Sequence, residues 1–568
     1  MLTPWADTLD RAQPLPEYPR PQMVRDSYLN LNGPWSYAIT TSASKPAQAD
    51  GTILVPFSPE SELSGVGHVL QPEEYLWYIR TVTLPDGFNV GRVLLHFGAV
   101  DQIATVWCNG VELATHTGGY LPFTVDITEV LAKENTILVC VRDATNKSQL
   151  PRGKQTLHPH GIWYTPQSGI WQTVWLESVP QNYIHSLRVT PLFDAHQVEI
   201  TVEGAGQCTI DLEGKRFTFP AGVPAHVPVQ SFRPWSPEHP TLYPFSVTLG
   251  DDTVYSYFAM RKCSVETDKD GVRRLFLNGK PYFHNGLLDQ GYWPDGLYTA
   301  PSDDALVYDI QLAKDMGFNM LRKHIKVECD RWYYHCDRLG MLVWQDMPCG
   351  GRRYDPLIVS TPLVTGWHLD DSWYPLFGRT NVTARKAFLN ELRDMVTTLY
   401  NHPCIAVWVP FNEAWGQFKT VEITEWTKSR DPSRLVNSAS GGNFFHCGDI
   451  TDMHRYPAPS IYLLDYKRAN AIGEYGGIGM AAEGHLWLSD KNWGYVQFKT
   501  PEEVTREYVK FADMLLALSK EGICAGVYTQ TTDVEGEVNG LYTYDRKVLK
   551  VDANAVREAN LKLVNSLK

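Results

Sequence analysis

Two glutamates follow apolar segments in a way that packing alone explains poorly. Glu413 comes after residues 405–411, an apolar run with the length and β-branching of a buried strand, and Asn412 precedes it directly. Glu474 stands in a similar setting, beside Gly473 and Tyr475. Glycoside hydrolysis needs two carboxyl groups, one to protonate the leaving oxygen and one to act as nucleophile or base. The pattern therefore predicts acid/base and nucleophile chemistry on a sugar.

Other polar and aromatic residues accompany this pair near the ends of predicted strands. Arg322 is a candidate to favour the ionised form of one acid, with Tyr456 as a hydrogen-bond donor. Trp344 and Trp415 either stack on a sugar or pack beneath the site, and the sequence does not decide between these roles. The candidate substrate-binding residues are Asn412, Arg322, Tyr456, His324, Trp344, Trp415 and Gln530.

Each of these residues also has a purely structural interpretation. Glu413 would then be a charged strand terminus paired with a loop arginine, and Glu474 part of a glycine-rich turn. For His324 a structural role is preferred over ligand binding. Arg322 would form a salt bridge within the barrel. The shared strand end is the stronger observation, because unrelated charges would fall at both ends.

The elements that must position these residues divide the chain into three predicted regions. Residues 1–180 show short alternating strands cut by turn signals such as Asn109-Gly110, which indicates a β-sandwich. Residues 181–263 continue this rhythm and predict a smaller immunoglobulin-like sandwich, with an extension of the first region as the alternative. A long polar loop over 144–169 interrupts the first region, and loops of this length are often functional.

From about residue 264 the pattern changes to strands that alternate with helices. Helical periodicity covers 303–316, 328–339 and 382–400, and the last long helix has Thr500 as its cap with Glu503 three residues later. Eight strands are predicted, at 281–286, 319–324, 341–346, 405–411, 435–438, 451–454, 471–477 and 523–528. Residues 264–568 are therefore predicted to form a catalytic (β/α)8 TIM barrel, whose carboxyl-terminal strand ends meet at one mouth.

Composition excludes several other functions. The net charge of −13 disfavours a nucleic-acid partner, and no stretch approaches the ~18 apolar residues of a membrane span. The 10 cysteines are scattered without metal-site spacing, so no metal and no cofactor is predicted. Residues 1–7 lack a basic and an apolar signal region, which predicts a cytoplasmic protein. Whether the chain forms a homo-oligomer is left open.

At this point the chain resembles glycoside hydrolase family 2, which contains β-galactosidases, β-glucuronidases and β-mannosidases. The resemblance covers nearly the whole sequence and implies that residues 1–180 form the family's sugar-binding jelly roll. It rests on specific segments. These are Gly98-Ala99-Val100-Asp101, His116-Thr117-Gly118-Gly119-Tyr120, Ser168-Gly169-Ile170-Trp171, Phe276-Leu277-Asn278-Gly279-Lys280-Pro281, Pro410-Phe411-Asn412-Glu413 and Ile472-Gly473-Glu474-Tyr475-Gly476.

The resemblance implies a role for each residue of the predicted site. Glu413 would be the acid/base and Glu474 the nucleophile of a retaining reaction through a covalent glycosyl-enzyme. Asn412 would hold the sugar 2-hydroxyl, while Arg322 and Tyr456 would orient the nucleophile.

Three departures from the family pattern affect the sugar specificity. The last barrel strand carries Gln530 in a segment without the usual tryptophan, and little beyond Arg322 remains of an Arg-x-Ser-His-x-Pro segment. The Asn-x-Lys signature with which β-glucuronidases read a carboxylate is replaced by Glu537-Val538-Asn539. An acid at this place would repel a uronate, so the sequence disfavours β-glucuronidase activity.

The sequence is thus interpreted as that of a retaining, exo-acting β-glycosidase that hydrolyses oligosaccharides or glycosides, with β-galactosidase as the preferred specificity. The alternatives within the family are β-glucuronidase, β-mannosidase and an arabinopyranosidase-like activity. The alternative outside enzymes is a carbohydrate-binding protein that has lost turnover, against which the presence of both carboxylates argues.

Overall fold

The computed structural model describes residues 1–352 and 355–567, in which two β-sandwich units precede a parallel barrel. The first unit packs a four-stranded antiparallel sheet against a six-stranded one, with a two-stranded pair beside them. Buried aliphatic and aromatic side chains from both sheets form its core. Its strands are Leu29–Asn30, Gly33–Thr40, Gly51–Val55, Tyr75–Thr83, Arg92–Phe97, Val100–Asp101, Ile103–Cys108, Val111–Thr117, Phe123–Asp126, Glu134–Arg142, Gly169–Ile170 and Val174–Val179.

The second unit is a sandwich of three strands over four, as in immunoglobulin-like folds. Alternating buried positions along its strands supply a separate apolar core. Its strands are Ser186–Leu192, Gln197–Glu203, Gln207–Leu212, Lys215–Pro220, Ala225–Pro228, Tyr243–Leu249 and Asp252–Phe258. The boundaries 1–180, 181–263 and 264–568 themselves remain a prediction.

A three-stranded sheet then leads into an eight-stranded parallel barrel. The leading strands are Cys263–Thr267, Arg273–Leu277 and Lys280–Pro281. The barrel strands, numbered one to eight along the chain, are His284–Asp289, Met320–Lys323, Leu342–Asp346, Ile405–Val409, Leu435–Val436, Ile450–Arg455, Ala469–Gly476 and Ile523–Thr529. Hydrogen bonding joins them in the order five-four-three-two-one-eight-seven-six, so the barrel is closed except between strands five and six.

Barrel strand one begins three residues later than its predicted start at 281. Pro281 instead pairs with Phe276 in a hairpin around Asn278 and Gly279, and this hairpin precedes the barrel. A proline lacks the N–H that an interior barrel strand must donate, so it stands in the short outer pair.

The helices follow the prediction where the apolar periodicity is strong. Their bounds are Asp303–Asp315, Asp330–Leu339, Pro356–Thr365, Val382–Thr398, Thr420–Arg430, Pro501–Glu521 and Ala553–Val564. The predicted capping box is confirmed, because the Thr500 side chain accepts from the Glu503 N–H and the Glu503 carboxylate accepts from the Thr500 N–H. No helix follows strand five or six, although every residue from 437 to 468 is described, so not every strand has its own helix.

The remaining secondary-structure elements are short. The pair Ile478–Gly479 and Val496–Gln497 lies between strands seven and eight, and four 3-10 turns occur at Ala6–Thr8, Thr128–Val130, Thr145–Lys147 and Phe193–Ala195. Within residues 1–352 and 355–567, none of the helices combines the length and apolar character that crossing a bilayer requires.

Candidate active site

Glu413 lies in a tight turn that follows barrel strand four. Strand Ile405–Val409 is fully buried, and its apolar residues anchor the turn in the barrel wall. Glu413 and Ala414 both adopt left-handed backbone conformations, with φ of 47° and 64°. A Cβ on Gly442 would lie 2.8 Å from the Glu413 Cα, so the neighbouring loop requires a glycine to approach the turn.

Glu474 is positioned near the end of barrel strand seven. The preceding residue, Gly473, donates its N–H to Asp452 on strand six at 2.6 Å. A Cβ on Gly473 would overlap the Asp452 carboxylate, which explains why glycine stands there. The Glu474 carboxylate accepts hydrogen bonds from Arg322 at 3.2 Å and from the Tyr456 hydroxyl at 2.7 Å.

The carboxylates of Glu413 and Glu474 both lie close to one nitrogen of the His454 ring. The His454 Nδ1 atom lies 2.7 Å from Glu413 Oε1 and 3.4 Å from Glu474 Oε2. One carboxylate oxygen of each glutamate and this nitrogen all lie within 4.8 Å of one another. Such a separation agrees with the about 5–5.5 Å between carboxyl groups in retaining glycosidases and is shorter than the about 6.5–9.5 Å of inverting enzymes.

The charges around Glu474 keep it ionised. Burial alone would favour the neutral acid, but the positive charges of His454 and Arg322 outweigh it and lower the pKa of Glu474 to about 2. Burial also opposes a charge on His454, yet Glu474 and Glu413 raise the pKa of its ring. Burial and the charge of Glu474 raise the pKa of Tyr456 well above its ordinary value, so its hydroxyl remains a neutral donor.

Arg322 connects Asp346 and Asn412 to the site, in addition to its contact with Glu474. Its guanidinium is fully buried and forms a two-point ion pair with Asp346 at 2.9 and 3.0 Å. The Nη2 group of Arg322 also donates a hydrogen bond to the Asn412 side-chain oxygen at 2.8 Å. The Asn412 Nδ2 group is buried and has no hydrogen-bond partner among the described residues, so this donor is available to a substrate oxygen.

The remaining predicted residues lie around this centre in different ways. His324 hydrogen-bonds through Nδ1 to Asp346 at 3.0 Å, and burial together with Lys154 and Arg322 lowers the pKa of its ring well below the ordinary value. Gln530 follows strand eight, donates to Asn539 at 2.8 Å and accepts from Gln290 at 2.5 Å.

The two tryptophans differ in their surroundings. Trp344 is fully buried and donates its indole N–H to His284 on strand one, so no ring face is open to a ligand. The burial of Trp344 therefore favours the packing role over sugar stacking. Trp415 lies two residues after Glu413, and its backbone N–H donates to the Asn412 carbonyl. The centroid of its ring lies 5.4 Å from that of Trp163.

Several residues of the centre were not among the predicted site residues. His454 and Asp452 belong to the predicted strand 451–454, and Asp346 is the last residue of the predicted strand 341–346. Tyr495 stacks on Tyr456 with ring centroids 3.7 Å apart, and its loop carries no motif that pointed to the site. The sequence feature that could have identified His454 is its position at the end of strand six, because this end lies at the same barrel mouth as both glutamates.

Glu413, His454 and Glu474 also form the one group of three metal-ligating side chains that converges in the described parts of the chain. The hydrogen bond of His454 to Glu413 and its ion-pair contact with Glu474 account for this convergence. A cation held by all three would occupy both carboxylates that glycosidic chemistry requires. The absence of a metal cofactor stays a prediction.

Comparison with protein families gives two matches that cover different parts of this architecture. Residues 66–180 match the model described as glycosyl hydrolases family 2, sugar binding domain. Residues 270–469 match the model described as glycosyl hydrolases family 2, TIM barrel domain. The second match includes barrel strands one to six and the Glu413 turn.

Similar curated proteins carry more than one activity in their names. A β-glucuronidase from Felis catus is 25% identical over 494 residues, which cover 75% of this chain and 70% of that protein. A β-galactosidase from Klebsiella pneumoniae is 26% identical over 397 residues, covering 62% of this chain. The matched part spans only 34% of that β-galactosidase.

Solved structures show the same fold along almost the whole chain. A β-glucuronidase from an uncultured Clostridium species superposes with a TM-score of 0.73 at 18% identity, covering 95% of this chain and 99% of the other. A β-galacturonidase from Eisenbergiella tayi gives a TM-score of 0.72 at 18% identity, covering 96% and 98%. At this level of identity the structures support the fold alone.

Proposed function

The chain belongs to glycosyl hydrolase family 2, and from this premise we propose that it is a retaining, exo-acting β-glycosidase. The observation that carries the proposal is the short separation of the Glu413 and Glu474 carboxylates at the barrel mouth. Its substrates would be oligosaccharides or other glycosides with a terminal β-linked sugar.

In the first step Glu474 attacks the anomeric carbon while Glu413 donates its proton to the glycosidic oxygen that leaves. The pKa of Glu474, lowered to about 2, supports the role of an ionised nucleophile at neutral pH. In the second step Glu413 removes a proton from water, which attacks the same carbon and releases Glu474. Two inversions give a product with the configuration of the substrate.

The residues around Glu413 and Glu474 orient the nucleophile and bind the sugar. Arg322 and Tyr456 donate to different oxygens of Glu474 and thereby fix the orientation of the attacking carboxylate. The buried, unpartnered N–H of Asn412 supports a hydrogen bond to the sugar 2-hydroxyl. Such a bond contributes most if it strengthens in the transition state.

The identity of the terminal sugar is the finer part of the proposal. The sequence favours a β-galactoside because the carboxylate-reading lysine of β-glucuronidases is absent. Relatives named β-glucuronidase and β-galactosidase are almost equally similar, at 25% and 26% identity. A panel of aryl β-galactosides, β-glucuronides, β-galacturonides, β-mannosides and α-arabinopyranosides would identify the substrate.

The central test of the proposal is covalent trapping of the nucleophile. A 2-deoxy-2-fluoro aryl glycoside slows breakdown of the intermediate, so mass spectrometry of the digested protein should find the sugar on Glu474. The non-catalytic alternative, a carbohydrate-binding protein, requires that no aryl glycoside is hydrolysed and that the fluorosugar leaves the protein mass unchanged.

A further inference from the structure

Lys154 is a buried cation that the sandwich unit supplies to the barrel mouth. It belongs to the long connection between strands Glu134–Arg142 and Gly169–Ile170, and only 5% of its surface is exposed. Its Nζ makes no hydrogen bond or ion pair with any side chain or carbonyl in 1–352 or 355–567. A lysine ammonium is seldom buried without a partner, since the loss of water costs several kcal/mol.

The backbone on both sides of Lys154 is held in place. The Lys154 carbonyl accepts from the Tyr164 N–H at 2.9 Å, and the preceding Gly153 N–H donates to the Tyr120 hydroxyl at 2.7 Å. The Arg152 carbonyl accepts from Gly350, a residue of the loop that follows barrel strand three. These contacts fix the start of the Lys154 side chain relative to the barrel.

The ammonium group lies beside the proposed catalytic centre. Its Nζ is 5.8 Å from the ring centroid of Tyr164 and 5.9 Å from that of Trp415. Trp415 is two residues beyond Glu413 in the same turn. The charge of Lys154 also lowers the pKa values of Glu474 and His324. For His324 only burial has a larger effect, whereas for Glu474 burial, His454, Arg322 and His324 all have larger effects.

Several other buried cations of the barrel have carboxylate partners. Arg322 is paired with Asp346 and Glu474, Lys323 with Asp289 and Glu328, Lys326 with Glu328, Arg546 with Asp309, and Lys550 with Asp533. Lys154 thus differs from these residues, because within 1–352 and 355–567 it has two aromatic rings nearby and no carboxylate within ion-pair distance. A ligand that brings a negative charge would offset the cost of burying this ammonium.

Glu537, the acid that disfavours a uronate in the sequence, has hydrogen-bond partners in the structure. Glu537 is buried, accepts from Asn539 at 3.0 Å and is hydrogen-bonded by the Tyr164 hydroxyl. The ring of the same Tyr164 lies 5.8 Å from the Lys154 ammonium. Two neutral donors thus hold the Glu537 carboxylate in a fixed position.

We propose that Lys154 binds an anionic group of the substrate, so that the enzyme prefers a glycoside bearing a carboxylate or sulfate over its neutral counterpart. The inference rests on the proposed function, since it names the substrate class of the same site. The carboxylate of a hexuronic acid and the sulfate ester of a hexose share the required chemistry. The 144–169 loop would then be a specificity element that the first sandwich contributes to the barrel.

The test compares kcat/KM for p-nitrophenyl β-galacturonide, β-glucuronide, β-galactoside and β-galactoside sulfated at the primary hydroxyl. The variants are Lys154→Met, Lys154→Arg and, as matched control, Lys147→Met, which removes an exposed lysine of the same loop. Because Lys154 also acts on Glu474, its loss can slow all substrates together. The ratio of anionic to neutral kcat/KM isolates recognition of the charged group.

We expect the native enzyme to prefer one anionic substrate over the matched neutral glycoside by at least about tenfold. Lys154→Met should reduce that ratio by about 30- to 100-fold, as expected for loss of a charge-assisted contact, while Lys154→Arg retains part of it and Lys147→Met all of it. The proposal is overturned if the native enzyme prefers the neutral sugar, or if Lys154→Met leaves the ratio unchanged.

A binding measurement separates this inference from the proposed function. Calorimetric titration of the native protein with galacturonate, glucuronate and galactose requires no turnover. Selective binding of a uronate that Lys154→Met abolishes would support the inference even if no glycoside is hydrolysed. Hydrolysis of neutral glycosides, with no uronate binding and no anionic turnover, would retain the proposed function and reject the role of Lys154.

Discussion

The ring of His454 contacts the carboxylate of Glu413, with 2.7 Å between Nδ1 and Oε1. The same nitrogen lies 3.4 Å from Glu474, so one imidazole touches both acids of the proposed mechanism. On its other side Nε2 is 2.8 Å from the Ser440 hydroxyl, which donates to Asp452 at 2.5 Å. A chain of polar groups therefore extends from the catalytic pair into the barrel wall.

Replacing either glutamate by glutamine should abolish most turnover without unfolding the protein. Glu413→Gln removes the proton donor and Glu474→Gln the nucleophile, so kcat/KM for an unactivated glycoside should fall by at least about 10³-fold. Steady-state kinetics and thermal unfolding would check both points. Glu425→Gln, an exposed glutamate on the helix after strand four, is the control and should keep native activity.

The first product should have the β-anomeric configuration. The short distance between the carboxylates leaves no room for a water on the far side of the anomeric carbon, so hydrolysis proceeds through two inversions. Proton NMR recorded in the first minutes, before mutarotation, would detect this anomer. Appearance of the α-anomer first would contradict the double-displacement mechanism.

Loss of the Arg322 charge should move the acid limb of the pH profile to higher pH. Burial raises the pKa of Glu474, and the charges of His454 and Arg322 lower it to about 2, so the active, ionised form persists above that pH. In Arg322→Gln the pKa should rise towards or beyond its ordinary value of 4.5, and activity would be lost earlier on acidification. The profile of kcat/KM against pH measures this shift.

The matched variant for this experiment is Arg322→Lys, which keeps a positive charge but not the two-point contact with Asp346. Its acid limb should stay nearer to that of the native enzyme, although kcat falls. An acid limb that is identical in the native enzyme and in Arg322→Gln would show that Arg322 does not control Glu474.

Substitution of His454 should alter the basic limb instead. Burial lowers and the two carboxylates raise the pKa of His454, with a net increase, so its positive charge is present below that raised pKa and is lost as the pH rises through it. His454→Gln removes this titration and should lower kcat by about 10- to 100-fold, the range for a charge-assisted hydrogen bond. The basic limb attributable to His454 should disappear from the pH profile.

His402 provides a control for this variant. Burial opposes its charge, but Asp337 and Asp330 raise the pKa of this ring to about 9, and it lies outside the proposed site. His402→Gln should reduce thermal stability while leaving the shape of the pH profile unchanged. An unchanged basic limb in His454→Gln would instead exclude His454 from control of the reaction.

Much of the fold was predictable because its signals are local in the sequence. The buried runs before Glu413 and Glu474, the Thr500 capping box and the turn-rich strands of the two sandwiches are each specified by adjacent residues. The barrel order follows from the alternation of strands and helices. The exceptions have local causes as well, since Pro281 was read as part of a barrel strand and instead joins a hairpin.

The sequence alone determined the family, the parallel barrel and the two glutamates at one mouth, because spacing and residue type carry that information. Only the tertiary structure decided that His454 lies between these acids, that Trp344 is covered, and that Lys154 reaches the mouth from another unit of the chain. These contacts join residues that are far apart in the sequence, 41 positions for His454 and Glu413. Their geometry depends on how strands and loops pack in space, which local periodicity does not specify.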